Sequence, residues 1–240
     1  MAHPGAQRWL VTGASRGLGL AIAQAALDGG ARVACLSRGG GDLPERHDGR
    51  AIALTGDVTD PASMQEAAAA MADRWGGVDV LVNNAGLHRG GLVDRIDLSD
   101  FDAVLKTNLS GPLNAVRACL PHFDDDGGAI VNIGAVVGFR GFPGDAAYGS
   151  SKMGLAGLTQ VLAMELARRR IRVNLVIPGF VMTEMTAEVS EAARAKLVAK
   201  IPLGREGTPE EIAEVVHWVA QSNYMTGSTV ATDGGLMCAL

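Results

Sequence analysis

Cysteine is scarce in this chain: Cys35, Cys119 and Cys238 are the whole complement, an odd number at wide spacing. Neither the pairing of a secreted disulfide framework nor the close clusters of a zinc site is present, so reduced thiols and a cytoplasmic location are expected. Five histidines are scattered without a ligand pattern, and no metal site is expected. No apolar run reaches the roughly 18 residues needed to cross a bilayer, and the first apolar strand begins near Arg8, leaving no room for a signal peptide. A long basic block is also missing. With a formal net charge of -5, the chain offers little to nucleic acid or to an acidic membrane surface, and a small ligand is the better expectation.

What is present is a 240-residue chain, 48% hydrophobic, long enough for one large α/β domain and without a composition break. Trp9-Leu10-Val11 is a short apolar strand that runs into Thr12-Gly13-Ala14-Ser15-Arg16-Gly17-Leu18-Gly19, followed by the helical pattern Leu20 to Leu27. In a strand, glycine turn and helix of this kind, glycines admit a pyrophosphate close to the backbone and the helix start supplies free amides. A later apolar run, Val78 to Val82, leads to Asn83-Asn84-Ala85-Gly86. Further on, Tyr148 and Lys152 stand four residues apart at the start of an apolar helix, hence on one face of it. An ammonium beside a phenol favours its ionised form, which would make Tyr148 a proton donor tuned down from its ordinary pKa of about 10. The pair by itself arises often by chance, and the other motifs give it meaning.

These motifs, in this order over nearly the whole chain, resemble the short-chain dehydrogenase/reductase family. The resemblance implies an α/β fold: a single-domain, Rossmann-type, doubly wound parallel sheet of about seven strands with helices on both faces. We expect one domain over residues 1–240, with 8–130 mainly dinucleotide-binding and 131–240 mainly catalytic. The second part would carry a substrate lid at 180–204, hinged near Gly179 and Gly204, and the surfaces of a homotetramer. Within the cofactor cleft the resemblance places Gly13, Ser15, Arg16, Gly17, Leu18 and Gly19 on the pyrophosphate and Asp57 and Val58 at the adenine. It places Asn84, Ala85 and Gly86 along the cleft, and Pro178, Gly179, Val181 and Thr183 at the nicotinamide end. The strand Arg32 to Leu36 ends in Ser37-Arg38, where an NAD-selective site usually has an acid. Arg38, Ser37 and Arg16 would instead neutralise and hydrogen-bond a 2′-phosphate, so the expected cofactor is NADP(H).

For the chemistry, the resemblance implies hydride transfer to a ketone carbon, with Tyr148 protonating the oxygen and Lys152 holding the nicotinamide ribose and lowering the phenol's pKa. Asn108 would distort its helix and hold a water in a proton path to the lysine. One position departs from the pattern. The serine expected thirteen residues before the tyrosine, a hydrogen-bond donor to the substrate carbonyl, is Ala135. Loss of one such donor typically costs on the order of 10²–10³ in turnover. Neither Ser150 nor Ser151 is expected to replace it. Ala135 is either a deliberate disabling substitution, which the intactness of the other positions favours, or the mark of a natural member with weakened or lost activity.

Gly134 to Gly138, Pro178 to Thr186 and Ile201 to Arg205 look like the 3-oxoacyl-carrier-protein reductases and related ketoreductases, which favours a 3-oxoacyl thioester, linked to carrier protein or CoA, as substrate. Arg168-Arg169-Arg170, ending the long helix near the site, is either a dock for an acidic acyl carrier protein or an ordinary helix C-terminus. Asp124-Asp125-Asp126 argues against docking. Two alternatives stay open: a reductase of another small ketone, sugar or steroid, and a cofactor-binding regulator or scaffold without turnover.

Overall fold

A computed structural model describes residues 6–40, 49–183 and 190–239. Seven strands, β1 (Arg8–Thr12), β2 (Arg32–Ser37), β3 (Ala51–Thr55), β4 (Val80–Asn83), β5 (Gly128–Ile133), β6 (Ile171–Pro178) and β7 (Thr229–Thr232), form one parallel sheet in the order β3-β2-β1-β4-β5-β6-β7. Every neighbouring pair is parallel, so every connection must cross over. Among the described residues there are seven α-helices, α1 (Gly17–Asp28), α2 (Pro61–Trp75), α3 (Leu98–Leu105), α4 (Gly111–Cys119), α5 (Ala146–Leu166), α6 (Glu191–Val198) and α7 (Pro209–Gln221).

Strand alternation sorts the core onto two faces. Trp9, Val11, Val33 and Cys35 pack with Ile22 and Ala26 of α1 and Ile212 and Val216 of α7. Leu10, Ala34 and Leu36 point the other way, to Met64 and Met71 of α2, Val116 of α4 and Leu162 of α5. These strands are apolar on both faces because both faces are covered, the expected pattern for a parallel sheet. The single-domain Rossmann-type fold expected from the sequence is the one observed.

Local signals fix most helix starts. Asp60 caps α2 by accepting from Ala62 N, with Pro61 at the first helical position. Thr208 and Glu211 form a reciprocal capping box on α7. Asp97 caps α3 by accepting from Ser99 N at 2.8 Å. The long helix is also shorter than the expected Tyr148 to Arg170, because Ala167–Arg169 tightens into a 3₁₀ turn and Arg170 adopts a left-handed conformation at φ 57°.

That geometry overturns the placement of the arginine run near the site. Tyr148 lies in the first turn of α5, a helix of 21 residues, so Arg168–Arg170 sits about 30 Å away, where β6 begins. There Arg169 donates to Leu120 O at 2.6 Å, while Asp124 pairs with Arg8 at the same distance. Gly128 N donates to Arg170 O, so the acidic and basic runs are neighbours at the end of the sheet opposite the site.

Candidate active site

The order of strands reverses direction between β1 and β4, and in such sheets ligands bind in the crevice beyond the C-terminal ends of the strands at that point. The residues singled out from the sequence fall there. Gly13 follows β1, Ser37 ends β2, Asp57 follows β3, Asn84 follows β4, Ala135 follows β5 and Pro178 ends β6.

The glycine loop is locked onto β4. Thr12 Oγ1 accepts the backbone amides of Asn84 and Ala85, each at 3.0 Å, and donates to Val82 O. Asn84 Nδ2 returns to Thr12 O and Gly13 O at 3.0 and 3.1 Å. Gly13, at φ 67°, has no room for a side chain, since a Cβ there would stand 2.8 Å from Ala85 Cα. At Gly19 a Cβ would lie 2.5 Å from Asn84 Nδ2 and collide with the Gly13 carbonyl. Gly17 also has a positive φ, Leu18 packs against the core, and Ser15 and Arg16 are exposed beside the start of α1. Arg16 occupies the cap position without a side-chain cap, and the first turn has no acidic residue. Such a helix start offers free amides and a positive dipole to an anion. A flat backbone cradle of this kind fits a dinucleotide pyrophosphate.

The far ends of the crevice are fixed in the same way. Ser37 Oγ donates to Gly40 O, and Arg38 is exposed just beyond. Neither Arg16 nor Arg38 forms an ion pair among the described residues. Asp57 accepts from Thr59 N, and Val58 is buried against the start of α4, its carbonyl held by Asn114 Nδ2 at 3.0 Å. On the other flank Gly179 N donates to Thr232 O, and a Cβ at Gly179 would be 2.6 Å from Asp233 Cα, so this position is packed tightly against the chain after β7. Val181 bridges Gly207, and Thr183 is half-buried. Residues 184–189 of the expected lid, Glu184, Met185 and Thr186 among them, lie outside the described residues.

Tyr148 and Lys152 share the first turns of α5, as their spacing requires. The buried Lys152 reaches back to β5, where Nζ donates to Ile133 O at 2.8 Å, and it stands 5.5 Å from the centre of the Tyr148 ring. Here the electrostatics differ from expectation. Burial, with the Asp145 carboxylate adding to it, pushes the Tyr148 phenol up to about 12 rather than down. Burial also lowers Lys152 to about 8, which weakens the cation that was to tune the phenol. The chain therefore holds Tyr148 firmly in its protonated form.

Asn108 lies in a wide π turn, Lys106–Ser110, between α3 and α4, closed by a bond from Gly111 N to Lys106 O. Its buried side chain clamps Leu87, accepting from the amide at 2.8 Å and donating to the carbonyl at 2.9 Å, and also donates to Ser151 Oγ. Ser151 in turn donates to Tyr148 O, so its hydroxyl is committed to tying α5 to the π turn. Ala135 stands in extended conformation between β5 and the short turn Val136–Gly138. That turn rests on the beginning of α5: a Cβ on Gly149 would be 3.2 Å from Val137 O.

Sequence reasoning missed His88 and Asp145. His88 Nε2 meets Asp145 Oδ1 at 2.7 Å, and the imidazole packs edge-on against Tyr148 with ring centres 5.1 Å apart. No short motif contains the pair, because 57 residues separate its members.

Comparison with known proteins agrees with this architecture. A family profile described as enoyl-(acyl carrier protein) reductase matches residues 13–237. The 3-oxoacyl-[acyl-carrier-protein] reductase FabG of Thermotoga maritima is 39% identical over 242 residues, covering 95% of this chain and 96% of its own. Carbonyl reductase family member 4 of Xenopus tropicalis is 40% identical over 232 residues, covering 94% and 96%. Among solved structures, a short-chain type dehydrogenase/reductase from Mycobacterium marinum superposes with a TM-score of 0.92 at 32% identity, covering 98% of this chain and 96% of that one. A short-chain dehydrogenase/reductase of Serratia marcescens, solved as a double mutant, gives 0.90 at 35% identity, covering 98% and 100%.

Proposed function

The chain belongs to the short-chain dehydrogenase/reductase family, and on that premise we propose that it is an NADPH-dependent reductase of 3-oxoacyl thioesters, carried on CoA or an acyl carrier protein. The observation that carries the reading is that Lys152 stands 5.5 Å from the Tyr148 ring and donates to Ile133 O, joining the start of α5 to the end of β5 just before Ala135. Likeness to the Thermotoga 3-oxoacyl reductase over nearly both full lengths supports the substrate class.

The cradle would hold a reduced nicotinamide dinucleotide, which when bound would supply the hydride for the ketone carbon. The glycine loop and the start of α1 hold its pyrophosphate, and Arg16, Ser37 and Arg38 receive the 2′-phosphate that distinguishes NADPH from NADH. Tyr148 gives its proton to the oxygen of the forming alcohol, and a high pKa keeps that proton in place until negative charge develops on the substrate oxygen. Lys152, anchored on Ile133 O, lies beside the phenol ring as the positive charge that stabilises the phenolate left behind. Asn108, in the wide π turn Lys106–Ser110, holds the water that passes protons back to Lys152.

Ala135 leaves the carbonyl without one positioned donor, so turnover is reduced. The segment after Gly179, including exposed α6, is the substrate lid, and Gly204 at φ 70° is its second hinge. Exposed Met153, Val161 and Met164 on α5, with Trp218 and Tyr224 near the C-terminus, form the surfaces of a cytoplasmic homotetramer. Among the described residues no helix is long and apolar enough to cross a membrane. Free ketones are the second substrate class, favoured by the likeness to the Xenopus carbonyl reductase. Assaying acetoacetyl-CoA against a free β-ketone, with NADPH and then NADH, tests the proposal. Preference for the thioester and for NADPH is expected, and turnover of the free ketone alone would replace the substrate assignment.

A further inference from the structure

The loop after β4 and the beginning of α5 are fastened to each other beside Tyr148. Gly91 N donates to Gly144 O at 2.8 Å, and His88 Nε2 meets Asp145 Oδ1 at 2.7 Å. A Cβ on the intervening Gly90 would stand 3.1 Å from Gly144 O, so glycine lets the two segments approach. The His88 ring lies at 81° to the Tyr148 ring, with the two centres 5.1 Å apart. The His88 side chain is 39% exposed, so the ring stands beside Tyr148 with solvent access rather than in the core.

Asp145 occupies Nε2, and Nδ1 has no hydrogen-bond partner among the described residues. With the Nε2 proton turned to the carboxylate, a neutral ring presents only a lone pair at Nδ1, whereas an imidazolium presents a second N–H. The carboxylate favours that imidazolium and raises the His88 pKa, against the opposing effect of partial burial. Of the other titratable groups, Tyr148 on α5 packs against it, with Lys152 5.5 Å from the centre of the Tyr148 ring, and Arg89 on its own loop is engaged by Asp100 of α3.

We propose that His88, anchored by Asp145, donates a second hydrogen bond to the substrate carbonyl oxygen beside Tyr148, supplying the donor that Ala135 lacks. The inference rests on the ketoreductase reading. It makes His88 a catalytic residue and Asp145 its positioning residue, and it assigns the turnover that remains with alanine at 135 to the imidazolium.

A double-mutant cycle in acetoacetyl-CoA reduction tests it, with the parent, His88→Gln, Ala135→Ser and the double variant, each first shown to be folded by NADPH titration. His88→Gln should lower kcat by at least about tenfold in the parent and by no more than about threefold alongside Ala135→Ser, where a hydroxyl takes over the bond. Parent kcat/KM should fall as pH rises through the His88 pKa. Asp145→Asn should move that limb to lower pH, and His88→Gln should remove it. An equal loss in both backgrounds would assign His88 a structural role and overturn the proposal, as would no loss at all. An inactive parent beside an active Ala135→Ser would also overturn it while leaving the ketoreductase reading intact. Inactivity of both would sink that reading, and the donor with it.

Discussion

Gly19 sits against Gly13 so closely that no side chain fits between them: a Cβ on Gly19 would strike the Gly13 carbonyl and stand 2.5 Å from Asn84 Nδ2. The contact binds three segments, the loop after β1, the start of α1 and the turn after β4, into one floor for the cleft. Gly19→Ala should therefore lower stability by about 1–3 kcal/mol, as overpacking does, and should abolish NADPH binding. Thermal unfolding and a fluorescence titration check both effects. Unchanged affinity would mean that the cofactor does not lie on this loop.

Arg38 is the second point of test. It is exposed, close to the end of β2 and unpaired among the described residues. Replacing a charge-assisted contact worth about 1.5–3 kcal/mol, Arg38→Asp should weaken NADPH binding by about 10–100-fold and leave NADH binding equal or stronger. The same loss for both cofactors would remove Arg38 from the 2′-phosphate site.

Much of this site could be read from the sequence because its parts are local. The Gly13 to Gly19 turn, the Asn83 to Gly86 turn and the Tyr148–Lys152 spacing each lie within a few residues, where backbone geometry alone dictates what faces what. Long-range juxtaposition was not legible. His88 and Asp145 meet only because β4 ends and α5 begins at the same end of the sheet, and nothing in either segment announces the other. The arginine run was misplaced because a motif near a helix in sequence can be a whole helix length from its active end. The Tyr148 pKa was misjudged for a related reason: spacing shows that a lysine is near, but burial and the Asp145 carboxylate, which act in the opposite direction, appear only in three dimensions.

The buried lysine predicts its own pH dependence. Burial lowers Lys152 to about 8, so the folded state disfavours its charge. Its contribution to stability is therefore present above the unfolded value of about 10.4 and is lost as pH falls through about 8. Lys152→Met should be more stable than the parent near neutrality, by about 1–2 kcal/mol once the lost bond to Ile133 O is counted, and the advantage should vanish towards pH ~10. Turnover should disappear at every pH. Thermal melts across this range check the sign, and a parent that stays the more stable protein at neutral pH would show that burial of the cation is fully compensated.

As proposed above, this crevice is a ketoreductase site built around Tyr148 and held back by Ala135. Its most direct test is NADPH-dependent reduction of acetoacetyl-CoA by the parent, by Ala135→Ser and by Ala135→Ser with Tyr148→Phe. Introducing the hydroxyl should raise kcat by at least about tenfold, and removing the phenol should abolish that activity. An unchanged rate with serine at 135, or a rate that survives Tyr148→Phe, would contradict it.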